Sequence, residues 1–165
     1  MGGGLSLAAI AAVGLLTGVS SGTAAAPGDD SCSLLRAKEI AKVFGAKVGK
    51  ATPGDLTPNC TWKVGADGEV TTNVDTGDGK AAYDAVIAVG AALGGDNIVD
   101  TPVRGLGREA TLRVGDLVTV FVVTDDGGFV SVQGDFPTLA DATGAPKKKL
   151  AGRVTRLARL AAARA

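Results

Sequence analysis

The stretch ATLRVGDLVTVFVVTDDGGFVSVQGD, Ala110 to Asp135, decides the fold. It reads as three strands, Ala110–Val114, Asp116–Thr124 and Gly128–Asp135, rich in Val and Thr and separated by Gly115-Asp116 and by Asp125-Asp126-Gly127-Gly128. β-Branched residues fit a pleated surface, and Gly and Asp supply the turns between the strands. Leu117 to Val123 is apolar on both alternations, the pattern of a central strand.

The same signals recur upstream. Thr61–Val64 and Glu69–Asp75 flank Ala66-Asp67-Gly68, where Gly68 offers a positive φ for a tight turn. Trp62 and Val64 alternate with Lys63. Val70, Thr72 and Val74 alternate with Thr71, Asn73 and Asp75. This is a hairpin with one buried face. A further short strand is expected at Lys47–Ala51.

Helical spacing appears in three places. Leu34, Ala37, Ile40, Ala41 and Phe44 mark the first helix, with Ser31 or Ser33 as N-cap and Gly45 at its end. Asp78 caps a second helix, Lys80 to Leu93, whose buried stripe is Tyr83, Val86, Ile87, Gly90 and Ala91 and which Gly94-Gly95 ends. The third runs from Lys147 to Ala165 after Pro146, with Leu150, Val154, Leu157 and Ala161 on one face. The order αβββαβββα predicts an α+β fold, one antiparallel sheet of about six strands with helices on one face.

Charge is unevenly distributed although the total is balanced. Lys147, Lys148, Lys149, Arg153, Arg156, Arg159 and Arg164 lie in the last segment without an acidic residue, leaving ten basic against seventeen acidic residues before it. The third helix therefore carries a candidate basic surface made of Lys147, Lys148, Lys149, Arg153, Arg156 and Arg159. It reads either as a contact for anionic lipid or wall polymer, or as a closing helix whose charges are solvated. Balanced charge and few aromatics speak against nucleic acid.

Histidine is absent, which removes Ser-His and Cys-His nucleophile pairs, histidine bases and most zinc sites. Asp75-Thr76-Gly77-Asp78-Gly79 lacks the spacing of a calcium loop. Gly105-Leu106-Gly107-Arg108-Glu109-Ala110 matches G-x-G-x-x-A, but Pro102 precedes it and a strand follows, so a glycine turn rather than a dinucleotide loop is expected. Asp125 and Asp126 read as turn residues. No cofactor, metal or catalytic residue is expected.

Leu5 to Val19 is an apolar and small-residue run followed by Ala24-Ala25-Ala26. Residues 1–25 are read as a signal peptide cleaved near Ala24-Ala25, with an uncleaved anchor as the alternative. Asp29-Asp30-Ser31 before Cys32 is no lipid-attachment sequence. Residues 26–31 then form a linker, and residues 32–165 one secreted domain. Cys32 and Cys60 are the two cysteines of the chain, and in an exported protein such a pair reads as a disulfide.

Cys32-Ser33-Leu34-Leu35, Cys60-Thr61-Trp62, Gly105-Leu106-Gly107 with Glu109-Ala110, and Arg113-Val114-Gly115-Asp116 together resemble a family of actinobacterial secreted proteins and lipoproteins of unknown function, with CSLL, CTW and GLGxEA motifs. Arg108 stands where that family commonly has an acidic residue. The resemblance implies a fold, an extracytoplasmic compartment and a disulfide, and carries over no catalytic residue. The expected function is that of a secreted, monomeric, non-catalytic domain binding a small ligand or a protein at the cell envelope. The alternatives are a module tethered to membrane or wall through the basic helix, and a hydrolase using Asp125 or Asp126.

Overall fold

The computed structural model describes residues 29–165 apart from 56, 76, 94–97 and 140–142. The signal peptide read at residues 1–25 and the Gly94-Gly95 helix end lie outside the described residues. The elements are α1 (Asp29–Ser33), α2 (Ala37–Phe44), β1 (Thr52–Pro53), β2 (Asn59–Val64), β3 (Gly68–Asp75), α3 (Gly79–Leu93), β4 (Val99–Pro102), β5 (Glu109–Val114), β6 (Val118–Val123), β7 (Phe129–Asp135), a 3-10 turn (Pro137–Leu139) and α4 (Ala145–Ala162). The strands form one antiparallel sheet in the order β1-β2-β3-β7-β6-β5-β4.

The α+β class and the single antiparallel sheet are as expected, but the sheet has seven strands rather than six. The added strand is β4, a segment for which no strand was expected and which ends at Pro102. Val103 N–H donates to Ala110 O at 2.9 Å, so its neighbour Pro102 occupies a position whose nitrogen faces away from β5. A proline there costs no ladder bond, which confines it to a sheet edge.

The strand expected at Lys47–Ala51 is displaced. Val48 bridges Val64, and Gly49 N–H bonds Lys63 O at 2.9 Å, whereas Thr52 pairs with Thr61. Lys50 and Ala51 therefore oppose the single residue Trp62, a β-bulge that splits the edge strand into two short pieces. In the following hairpin the positive φ is at Gly65 (69°) rather than Gly68. Gly68 is already in β3, where a Cβ would sit 2.2 Å from the Phe136 ring.

The single first helix is two. Arg36, in extended backbone, begins α2, and the Glu39 carboxylate accepts its N–H at 2.9 Å. Neither Ser31 nor Ser33 caps α2. The Ser31 hydroxyl donates to Pro58 O, and Thr72 Oγ1 donates to Ser31 O at 2.8 Å. These bonds seat α1, which begins inside the stretch read as linker, over β2 and β3. Cys32 and Cys60 are joined by a disulfide with Cα atoms 5.0 Å apart. Gly45 ends α2 with φ 66°, as expected.

The expectation of helices on one face is corrected. Cys60, Trp62, Val64, Val70, Val74, Val118, Val120, Val122, Val130 and Val132 point to one face, where they pack with Leu34, Ile40 and Phe44 of the N-terminal segment and with the α4 stripe. Phe121, Val123 and Phe129 point to the other, where Tyr83, Val86 and Ile87 of α3 cover them. Asp78 caps α3 as predicted, its Oδ1 accepting Ala81 N–H at 3.0 Å, while Ala91 is exposed rather than buried. Tyr83 and Thr111 share a buried hydrogen bond of 2.7 Å. Arg113 donates to Val86 O, Ile87 O and both oxygens of Asp100, tying α3, β5 and β4 together. Gly90 makes room for that guanidinium, which lies 2.0 Å from where a Cβ would be.

Replacing both cysteines by serine should lower the unfolding free energy by about 3–4 kcal/mol, the loop-closure estimate for a loop of this size. Urea unfolding with and without reductant measures it; a reduced wild type as stable as the oxidised one would refute the staple. Gly134→Val should cost about 2 kcal/mol despite its better strand propensity, because a Cβ at Gly134 meets Val154 Cγ2 of α4 at 2.8 Å. An unchanged urea midpoint would show that α4 is not tightly seated.

Candidate functional site

α4 presents two surfaces. Leu150, Ala151, Val154, Leu157, Ala158 and Ala161 are buried against the sheet, including all four residues that helical spacing marks. The helix lies over β7 and β6 and reaches β5. It stops short of covering the outer strands. Leu112 and Val114 are half-buried, and on β4 their partners Thr101 and Val99 are exposed, Val99 to 58%.

An open cleft of about 390 Å³ results between the flank of α4 and β5. Leu112 and Ala151 form its apolar floor, Gly152 and Thr155 its wall, and Lys148, Arg156 and Arg159 its rim. Lys148, Gly152, Thr155 and Arg159 recur at intervals of three and four, which puts them in one row along the helix. The Thr155 hydroxyl is committed to Ala151 O at 2.8 Å. A Cβ at Gly152 would meet no atom within 4 Å, so the glycine keeps the middle of the wall open.

The candidate basic surface thus divides. Lys148, Arg156 and Arg159 line the cleft. Arg153 lies on the opposite flank, its guanidinium 5.3 Å from the ring centre of Phe44, which in turn stacks on Phe136. Lys149 is exposed away from the cleft lining, and Lys147 is half-buried at the helix start. Among the described residues, Lys148, Arg156 and Arg159 form no ion pair. Arg159 Nη1 instead donates to Gly105 O at 3.0 Å. Leu112, Gly152 and Thr155 were not singled out by the sequence. Their one sequence signal is that Gly152 falls in the row between Lys148 and Arg159.

Gly105-Leu106-Gly107 is a turn leading into β5. Both glycines have positive φ, 66° and 57°, Leu106 is buried in the core, and a Cβ at Gly107 would lie 2.2 Å from Val123 O. The turn plugs the sheet end and supplies the carbonyl that positions Arg159.

Asp125 and Asp126 are exposed in the β6–β7 turn. Asp126 accepts from the Thr124 hydroxyl and from Gly128 N–H at 3.3 Å, and these bonds hold its carboxyl below the usual range, the Thr124 bond most strongly. That is opposite to the shift a proton-donating carboxyl needs near neutral pH. Asp125 contributes its backbone oxygen to Arg108 Nε at 2.9 Å. Among the described residues no group of three or more His, Cys, Asp and Glu is placed to hold a metal, and no helix is long and apolar enough to cross a membrane.

The far end of α4 is fixed by Arg164. It donates to both Glu39 oxygens at 2.6 and 2.8 Å and to Leu34 O at 2.8 Å. The Arg164 hydrogen bond above all lowers the Glu39 pKa to about 2. An unfolded glutamate titrates near ~4.3. The stabilisation is therefore complete above that value and is lost as pH falls from ~4.3 to ~2. Because both side chains keep solvent access, Arg164→Met should cost about 1 kcal/mol at neutral pH. It should also remove most of the stability lost over that acid window. Urea midpoints at pH 7 and pH 3 read both effects; equal acid sensitivity in variant and wild type would exclude the pair as its source.

No known protein family, curated protein or solved structure matches the chain.

Proposed function

We propose that this is a secreted, non-catalytic binding domain of the cell envelope, and that the cleft between α4 and β5 is where it binds. One observation carries this reading. Three cations that have no carboxylate partner among the described residues border an apolar trough between α4 and β5. Apolar floors with a few polar groups at the rim are the usual make-up of ligand sites.

Export is supported by the apolar leader read in the sequence and by the Cys32–Cys60 disulfide, which persists outside reducing compartments. The resemblance of the Cys32-Ser33-Leu34-Leu35 and Cys60-Thr61-Trp62 motifs to those of secreted actinobacterial proteins is in line with this reading. The exposed, turn-bound Asp125 and Asp126 support binding over hydrolysis. Tethering by insertion of α4 into a membrane fits less well, because the apolar stripe such a helix would insert is already in the core.

The test uses Gly152→Phe. Phe is the better helix former, so the fold should hold while the ring fills the trough. Protein incubated with a methanol extract of bacterial envelope and examined by native mass spectrometry should carry small-molecule adducts in the wild type and lose them in the variant. Identical adducts on both, or none on either, would refute the cleft as the binding site. Intact mass of protein recovered from culture medium, with alkylation, checks export: a chain starting near Ala25 without free thiols is expected.

A further inference from the structure

We propose that the cleft takes a single-chain anionic amphiphile, whose carboxylate or phosphate head lies among Lys148, Arg156 and Arg159 and whose tail lies over Leu112 towards Val99. This rests on the reading of the cleft as the binding site and adds the chemistry of its occupant.

The charge demands an anion. Lys148, Arg156 and Arg159 share one flank, no acidic side chain lines the cleft among the described residues, and Arg159 is held in place by Gly105 O at 3.0 Å. A guanidinium so anchored keeps further donors for a carboxylate or phosphate. The floor demands an apolar tail. Leu112 is half-buried, its β4 partner Thr101 is exposed, and Val99, opposite Val114 on the same strand pair, is 58% exposed. The trough, about 390 Å³ and open along one side, has room for a short chain lying along it. A single chain in monomeric form suits a trough. A membrane surface does not, because the cations border a concavity and the apolar stripe of α4 is buried.

Titration calorimetry with decanoate below its micelle concentration tests this, with decan-1-ol as the uncharged control. Decanoate should bind about tenfold more tightly than decan-1-ol. The exposed pair Lys148→Gln/Arg156→Gln should lose about that factor for decanoate and keep its affinity for decan-1-ol. Added salt should weaken decanoate alone. Gly152→Phe should abolish both. Equal affinity for the two probes, or decanoate binding unchanged in the double variant, would overturn the proposal. So would retention on phosphatidylglycerol vesicles without decanoate binding, which assigns the cations to a membrane. If decanoate fails while cleft-dependent extract adducts persist, the ligand class is wrong and the binding site stands. If both fail, both readings fall.

Discussion

Val118, Val120 and Val122 of β6 and Val130 and Val132 of β7 are wholly buried on one face of the sheet, while Val123 and Phe129 are buried on the other. A strand pair that is apolar on both faces is stable only when both are covered, since each large aliphatic left in water forgoes about 1.5–3 kcal/mol. The rest of the chain answers that requirement. α4 lies across β6 and β7 on the first face, tightly enough that β7 carries Gly134 beneath Val154. α3 covers the second as it crosses from β3 to the far edge of the sheet. The β2–β3 hairpin joins β7, and α1, pinned by the Cys32–Cys60 disulfide, closes the first face over it.

The two-faced character of β6 was legible, and it implies two layers of helix. The single-layer expectation overlooked that Phe121, Val123 and Phe129 would otherwise stand in water. Regular elements with strong periodicity, β3, β5, β7 and the α4 stripe, fall where their patterns put them. The misses are places where a local rule met a tertiary one. Val99 to Pro102 is short and ends in a proline, so it carries no strand pattern, yet at an edge position with the Pro102 nitrogen outward it is compatible with a strand. Lys47 to Ala51 reads as one strand, but a bulge opposite Trp62 interrupts it and the pairing resumes at Thr52–Pro53. Ser31 has the right side chain for a helix cap, but Pro58 O competes for its hydroxyl and the chain bends at Arg36 instead.

The candidate site was half legible. Its charges stand out in a tail with seven basic and no acidic residues. Its floor does not, because Leu112 reads as an ordinary strand residue. Only the width of the sheet makes Leu112 part of a cleft. A helix about 10 Å across covers about two strands spaced about 4.8 Å apart, and seven strands span about 29 Å. With α4 over β6 and β7 and α1 over β2 and β3, the first face runs out of helix before it reaches β4. Among the described residues this leaves an uncovered apolar edge, and α4 lies next to it with a glycine and three cations facing the gap.

The two readings of the basic helix, closing element or contact surface, are therefore not rivals. Leu150, Val154 and Leu157 use one side of α4 for the core, and Arg153 covers Phe44 on one flank. Arg164 clamps the C-terminal end to Glu39. Those three roles leave Lys148 and Arg156 without an ion-pair partner among the described residues, and leave Arg159 with the Gly105 carbonyl alone. Three like charges gathered on one flank repel one another and add nothing to the fold by themselves. Arg159 also ties α4 to the turn before β5 through Gly105 O, but Lys148 and Arg156 have no such bond, and cations placed beside an apolar gap are what a site for an anion with a hydrophobic part requires.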